Sequence, residues 1–300
     1  ASVVFVMNHR SNMDYVLVTY LASSRASLSY AVGEWARIWP LQSLVRMMGG
    51  FFVRRNSGNG LYRKVLERYV HMATDGGVTQ AIFPEGGLSL TGALQEPKMG
   101  LLAYVVEAFD PEADRDIVFV PVATNYDRVL EDRVLIAAAE RGDRRFGARI
   151  SVVVFAFFKK FWQRLRGKDT RFGTAAVTFG QPLSLKGSQL EGDVNALSFE
   201  LMGRIATVMP VLAVPLIAHA LLGKGPVAEG EMLEQVRTLM QQVPKANRLA
   251  DDEALAEDVA RGLRGLRRRK IASLADGFWE VAPGQENVLQ FYARSVAHFL

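Results

Sequence analysis

The sequence predicts an α/β fold, a largely parallel mixed sheet flanked by helices, followed by a mainly helical C-terminal region. Three observations carry that prediction. Short apolar runs recur at Val3 to Met7, Ala81 to Phe83, Val118 to Val122, Ile150 to Phe155 and Ala175 to Phe179, and unbroken runs of this length mark strands covered on both faces. Helical periodicity fills the intervals, and strand–helix alternation lays helices over a parallel sheet. After Thr178 to Leu185, "TFGQPLSL", the chain turns polar in "KGSQLEGD" and then reads as helix. The boundary falls near Ser188, giving an α/β domain over 1–187 and a mainly helical region over 188–300.

The first strand, Val3 to Met7, runs into "NHRSNMDY". Ser11 suits a helix N-cap, and Asp14 falls at the third helical position, a capping box with Asp in place of Glu. Next, "GGFFVRRN" couples a glycine pair and an apolar run to adjacent Arg54 and Arg55. Leu61, Val65, Tyr69 and Met72 recur every three or four residues, which predicts a helix with that face inward and Arg63, Lys64, Glu67 and Arg68 mostly toward solvent. The strand Ala81 to Phe83 ends in Pro84-Glu85-Gly86-Gly87, with Ser89 and Thr91 behind it. In "VFVPVATNYD" Pro121 interrupts a strand-like run, or sits in an edge strand.

The tail begins with an apolar segment, Ile205 to Gly223, that contains Pro210, Pro215 and His219. A membrane span needs about 20 apolar residues, so the segment reads as a buried core helix broken near its prolines. Helices follow around Glu231 to Gln242 and Asp252 to Leu266, then the basic run Arg267 to Lys270, read as a solvated cluster, and a hairpin through "SLADGFWEVAPG".

Composition excludes several chemistries. With no cysteine there is no disulfide, thiolate nucleophile or cysteine metal site, and a reducing cytoplasmic setting fits. Four scattered histidines argue against a histidine metal cluster. The 300 residues, 49% hydrophobic, suffice for one large or two smaller cores. A net charge of +5 favours acidic partners: phosphorylated metabolites, anionic lipid or nucleic acid. No signal-peptide pattern precedes the first strand, and Ala1 lies directly against it, so the chain is expected to be a window from a longer protein.

His9 and Asp14 are candidates for proton-transfer chemistry. Two residues five apart in a continuous helix diverge, but a histidine in the turn before the helix can fold back over its first turn. The carboxylate then takes a hydrogen bond from one imidazole nitrogen and leaves the other to remove a proton from a substrate hydroxyl. Asp14 as a plain cap is the competing reading. Arg54 and Arg55 carry planar forks suited to phosphate, unless both simply reach solvent. The glycine turn after Phe83 offers backbone N–H groups at a strand's carboxyl end, where ligands of open α/β sheets gather; a surface turn is the alternative.

In order, His9-x4-Asp14, "GGFFVRR", "FPEGG" and Val120-Pro121 resemble the blocks of the glycerophospholipid acyltransferase superfamily. The stretches "GGFFVRRNSGNGLYRKVLERYV", "EPKMG" and "FYARSVAHFL" are similar to its glycerol-3-phosphate 1-O-acyltransferase branch. The resemblance covers nearly the whole chain and implies the catalytic core of a longer enzyme, with the acyltransferase catalytic domain in 1–187. It implies that His9 is the general base toward the 1-hydroxyl of glycerol 3-phosphate and that Asp14 orients it. The acyl donor is an acyl-coenzyme A or acyl carrier protein thioester, and no metal or tightly bound cofactor is expected. Arg54, Arg55, Glu85, Gly86 and Ser89 match substrate-binding positions, and Pro121 lies in the block tied to the acyl donor or the shape of the site.

The resemblance departs at "EGGLSL", where Leu88 and Leu90 stand at positions at which arginine is common in the family. Two lost charged hydrogen bonds, each worth about 1.5–3 kcal/mol, weaken binding a hundredfold or more unless others compensate; Arg55 and Lys98 are the candidates. Acylation of lysophosphatidate and a catalytically silent lipid-binding homologue are the alternative readings. A lipid product implies work at an anionic membrane surface, on the cytoplasmic side of the cell membrane, as a peripheral or monotopic protein. "FFKKFWQRLRGK", Phe157 to Lys168, mixes aromatic and basic residues as an interfacial anchor does, or as a core helix with a solvated basic face. Nucleic acid is not expected as a partner, since it leaves the ordered blocks unexplained.

Overall fold

The structure is a computed structural model that describes residues 1–22, 28–33, 37, 39, 41–54, 58–107, 109–112, 115–142, 173–249 and 251–300. The expected strand Ile150 to Phe155, the segment Phe157 to Lys168 and Arg55 lie outside the described residues. In chain order the first elements are β1 (Ser2–Met7), α1 (Met13–Ala22), β2 (Ser29–Gly33), α2 (Leu41–Met47), β3 (Gly50–Val53), α3 (Gly60–Asp75), β4 (Gln80–Ile82), α4 (Gly100–Val106), β5 (Ile117–Tyr126) and α5 (Asp132–Glu140). They are followed by β6 (Ala175–Phe179), β7 (Leu183–Ser184), α6 (Val194–Thr207), α7 (Ala213–Lys224), β8 (Val227–Ala228), α8 (Met232–Gln242), α9 (Asp252–Arg268), β9 (Ala272–Ala275), β10 (Phe278–Val281) and α10 (Glu286–Ala293).

These elements form two compact units interleaved along the chain. Unit 1 comprises residues 1–87, 95–124 and 177–208; unit 2 comprises 88–94, 125–176 and 209–300. A boundary read from composition is a single cut, whereas the packing groups α6 with the strands that precede it.

The sheet runs β3-β2-β4-β1-β5-β6, with β7 paired to β5. β1 is parallel to both β4 and β5, and β2 is parallel to β3 and β4, while β7 is antiparallel. Its carboxyl ends therefore share one edge, where Asn8, Arg54 and Phe83 follow β1, β3 and β4. Val4 and Val6 of β1 are fully buried, as expected for a strand with neighbours on both sides. Pro121 does not interrupt β5, which runs through it in register with Val6; it lies inside the sheet, lacks an N–H to donate, and accepts from Gly180 N at 2.7 Å through its carbonyl. Of the glycine pair at the start of β3, Gly49 is sterically required and Gly50 is closely packed. A Cβ on Gly49, at φ +86°, would lie 2.0 Å from Leu28 O, and one on Gly50 would lie 2.6 Å from a Val45 methyl.

α3 forms where expected but presents the opposite face. Leu61, Val65, Tyr69 and Met72 are 74, 60, 47 and 61% exposed, whereas Val70 and Thr74 are buried. The helix carries a second apolar series, Leu66, Val70 and Ala73, at equally good helical spacing, and periodicity cannot choose between two such series. Arg63, Lys64 and Arg68 are exposed as expected.

In unit 2 the core is built on α7, whose Leu216, Ile217 and Ala218 are fully buried among α8, α9 and α10. The apolar segment Ile205 to Gly223 is broken at Pro210, between α6 and α7, and Pro215 sits in the first turn of α7, where a missing N–H costs nothing. Among the described residues no helix is long and apolar enough to cross a membrane. Asp127 Oδ1 accepts from Val214 N at 3.1 Å and so satisfies an open donor at the start of α7. The expected hairpin is β9–β10, turned at Asp276 (φ 50°) and Gly277 (φ 80°), two positive-φ residues as a tight primed turn demands. β8 adds a third strand; two residues are too few to signal it in the sequence.

Candidate active site

The site of interest lies at the carboxyl edge of the sheet in unit 1. β1 ends at Met7, and Asn8 continues its pairing through its side chain: Nδ2 donates to Thr124 O at 3.0 Å and Oδ1 accepts from Thr124 N at 2.7 Å. The chain then turns, and His9 folds back over the start of α1. His9 Nδ1 lies 2.9 Å from Asp14 Oδ2. The same carboxylate oxygen accepts from the backbone of Arg10 at 2.7 Å and of Ser11 at 3.0 Å, while Oδ1 accepts from Thr124 Oγ1 at 3.2 Å. Ser11 Oγ in turn accepts from Met13 N at 3.2 Å. Asp14 thus works as a cap and as the partner of His9 at once.

Asp14 is fully buried and His9 is 2% exposed. A carboxylate bonded to Nδ1 selects the tautomer with the proton there, which leaves Nε2 with its lone pair. The imidazole is held sideways by aromatic rings, Phe83 at 4.2 Å and Tyr15 at 5.2 Å between centroids.

β4, the neighbour of β1, contributes the next residues. Glu85 Oε1 accepts from His9 N at 3.0 Å and Oε2 from Gln95 N at 3.3 Å, so its carboxyl fastens the backbone that carries the histidine. Burial pushes the Glu85 carboxyl up to about 8, against the opposing pull of the His9 N–H, the Arg10 guanidinium and the Gln95 N–H. Gly86 holds φ +65°, and a Cβ there would meet the Lys98 stem at 3.0 Å; Lys98 itself is anchored by its N–H to Pro84 O at 2.8 Å. Gly86 and Lys98 therefore form one surface beside Glu85. Arg54 follows β3 two strands beyond β4, is exposed, and is fixed by its N–H on the Tyr62 hydroxyl at 2.8 Å.

The remaining expected site residues are placed differently. Ser89 belongs to unit 2 and its hydroxyl is taken up locally, donating to Ala93 O at 2.6 Å and accepting from Gly92 N at 3.0 Å. That loop needs its glycine, since a Cβ on Gly92 would lie 1.8 Å from Phe291 O. Leu88 and Leu90 are half-buried in the same loop. Pro121 is buried in β5. Sequence reasoning missed Thr124, Asn8 and the buried Arg10 beside Glu85; only the polar "ATNYD" after a strand run hinted at Thr124. Among the described residues no group of three or more His, Asp or Glu side chains could hold a metal ion.

Comparisons with known proteins bear on both halves of the chain. Residues 1–125 match the Acyltransferase family and residues 157–300 match the family described as glycerol-3-phosphate acyltransferase C-terminal region. A glycerol-3-phosphate acyltransferase of Pseudomonas fluorescens (strain Pf0-1) is 36% identical over 186 residues, covering 61% of this chain and 21% of that protein. The glycerol-3-phosphate acyltransferase of Xylella fastidiosa (strain M23) is 28% identical over 82% of this chain and 31% of its own length, and that of Pseudoalteromonas atlantica is 26% identical over 99% of this chain and 39% of its own. The chain thus spans between about a fifth and two fifths of the length of these relatives. A distant likeness links it to the crystal structure of the 1-acyl-sn-glycerophosphate (LPA) acyltransferase PlsC from Thermotoga maritima, with TM-score 0.39 and 18% identity over 68% of this chain and 64% of that one.

Proposed function

The chain belongs to the glycerol-3-phosphate acyltransferase family, and on that premise we propose that it is the catalytic core of an enzyme that moves a fatty acyl group from an acyl-coenzyme A or acyl carrier protein thioester to the 1-hydroxyl of glycerol 3-phosphate. The observation that carries this reading is the buried 2.9 Å bond between His9 Nδ1 and Asp14 Oδ2. His9 Nε2 takes the hydroxyl proton as the alcohol oxygen attacks the thioester carbonyl. The tetrahedral intermediate collapses with cleavage of the C–S bond, and the imidazolium returns the proton to the departing thiolate, giving lysophosphatidate and free thiol. Asp14 stabilises the imidazolium between these steps.

Glu85 positions His9 through the backbone. Arg54, Arg55 and Lys98 bind the acceptor phosphate, with Gly86 leaving room for it beside the Lys98 stem; strand order supports the grouping, since β3 and β1 are separated by roughly 14 Å of sheet, within the joint reach of an arginine and the acceptor. Ser89 shapes its own loop and Pro121 the floor of the strand. Contact with an anionic membrane surface is supported by the exposed stripe of α3, Leu61, Val65, Tyr69 and Met72, beside exposed Lys64 and Arg68.

An acyl-transfer assay on the full-length protein tests the reading, with glycerol 3-phosphate, dihydroxyacetone phosphate and lysophosphatidate as acceptors. His9→Ala is expected to lower kcat for glycerol 3-phosphate by about 10²–10⁴. Equal rates in the two proteins sink the mechanism, and preference for lysophosphatidate moves the protein to the other branch.

A further inference from the structure

The basic run after Leu266 does not behave as a plain solvated cluster, because Arg268 and Arg269 both border one cavity within unit 2, the first exposed and the second partly buried. Just past α9 Lys270 takes φ 57°, and Ile271 N bonds back to Leu266 O at 2.9 Å. That turn sends Arg269 inward, where it donates to the Tyr292 hydroxyl at 3.1 Å and pairs with Asp132. Arg268 stays on the outer face of α9 and borders a cavity of about 790 Å³.

One face of α9 lines that cavity through Glu257, Arg261, Arg264, Gly265 and Arg268, and Arg128 and the Asp132-paired Arg269 join them. Arg261 is engaged with Asp258 on its own helix. Arg264 and Arg268 are exposed and, among the described residues, have no carboxylate partner. The carboxylate of Asp127, also in the wall, is spent on the N–H groups of Val214 and Thr174. Burial, and then the like charge of Arg269, hold the Arg128 guanidinium below its ordinary range against the opposing pull of Tyr292 and Asp132, and Arg268 adds to the repulsion. Arginines outnumber the acids Asp127 and Glu257 in the lining, and an added anion relieves that excess of like charge.

Gly265 is the second observation. Glycine is a poor helix former, and two glycines lie in this stretch of α9. Gly262 is closely packed, since a Cβ there would meet Ile217 Cδ1 at 2.9 Å and Val214 Cγ2 at 3.1 Å; at Gly265 a Cβ would meet nothing within 4 Å. No close approach explains Gly265, but a side chain there would project into the cavity.

We propose that this cavity binds a multiply phosphorylated small molecule of nucleotide size, with its phosphates on Arg128, Arg264 and Arg268 and its less polar part over Gly265 beside Val214. The volume suits such a molecule, and guanidinium forks suit phosphate. The chemistry is shared by the phosphorylated adenosine end of a coenzyme A thioester and by a free nucleotide. The inference stands apart from the role of His9.

Titration calorimetry on the full-length protein tests it, with coenzyme A, dephospho-coenzyme A, ADP and pyrophosphate as probes. Coenzyme A or ADP is expected to bind, and Arg264→Ala with Arg268→Ala is expected to weaken that binding at least tenfold. Gly265→Leu is expected to weaken it similarly while leaving the melting temperature unchanged or raised. Coenzyme A binding tenfold tighter than both dephospho-coenzyme A and ADP supports the site with the acyl donor as its source, and equal binding of coenzyme A and ADP supports it with a free nucleotide. Pyrophosphate binding as tightly as either overturns the nucleotide assignment. Absence of binding by every probe, or binding that ignores both sets of substitutions, overturns the site.

Discussion

At the scale of single residues, the charge on Asp14 is held by four donors: His9 Nδ1, the N–H groups of Arg10 and Ser11, and the Thr124 hydroxyl. A fully buried carboxylate is tolerable only with such company, and the same bonds aim the imidazole. Glu85 presents the opposite electrostatic case. Its carboxyl is raised to about 8 by burial, so between its unfolded range near 4.5 and about 8 the folded protein keeps a proton that the unfolded chain releases. Stability must therefore fall as pH rises through that window, at most by about 1.4 kcal/mol per pH unit. Denaturant unfolding at several pH values between 4.5 and 8 is expected to give a declining free energy for the wild type and a flatter one for Glu85→Gln. Parallel curves would show that Glu85 does not titrate in this range.

At the scale of elements, α3 shows how one helix can satisfy two environments. Leu66, Val70 and Ala73 turn inward, and Leu61, Val65, Tyr69 and Met72 stay outside with Lys64 and Arg68 alongside. An exposed apolar stripe beside cations fits the interface of an anionic bilayer. Cosedimentation with vesicles containing anionic lipid is expected to fall at least tenfold for Leu61→Glu with Val65→Glu, because each loses apolar burial worth about 1.5–3 kcal/mol on docking and adds a repelled charge. Both residues face solvent in the free protein, so its melting temperature is expected to hold. Unaltered cosedimentation would remove α3 from the membrane contact.

At the scale of the whole molecule, the two units share the chain in alternating segments, so a cut in sequence is not a cut in packing. α6 is grouped with unit 1, packs on α4, and keeps Leu197, Leu201 and Ile205 fully buried. Removing three such side chains from their packing forfeits about 5–9 kcal/mol, the size of a small domain's whole stability. A fragment of residues 1–187 is accordingly expected to lack a cooperative thermal transition and to bind a hydrophobic dye, where the 300-residue chain melts cooperatively. A cooperative, dye-silent fragment would support the boundary near Ser188.

By itself, the amino-acid order determined what depends on near neighbours. It set the alternation of strands and helices, the break of the long apolar segment at Pro210, the β9–β10 hairpin and the pairing of His9 with Asp14, because five residues and one turn contain all the geometry that pair needs. The glycine pair at the start of β3 was visible too, although the reason for Gly49, the Leu28 carbonyl, was not. Only the tertiary structure decided which apolar face of α3 turned inward, which donor 110 residues away completed the shell of Asp14, that Glu85 held the His9 backbone, and that Arg264 and Arg268 met Arg128 across one cavity. Periodicity records the options a segment has within its own few turns. Choosing among them takes the partner surfaces, and those arrive from distant parts of the chain when the sheet and the helices pack.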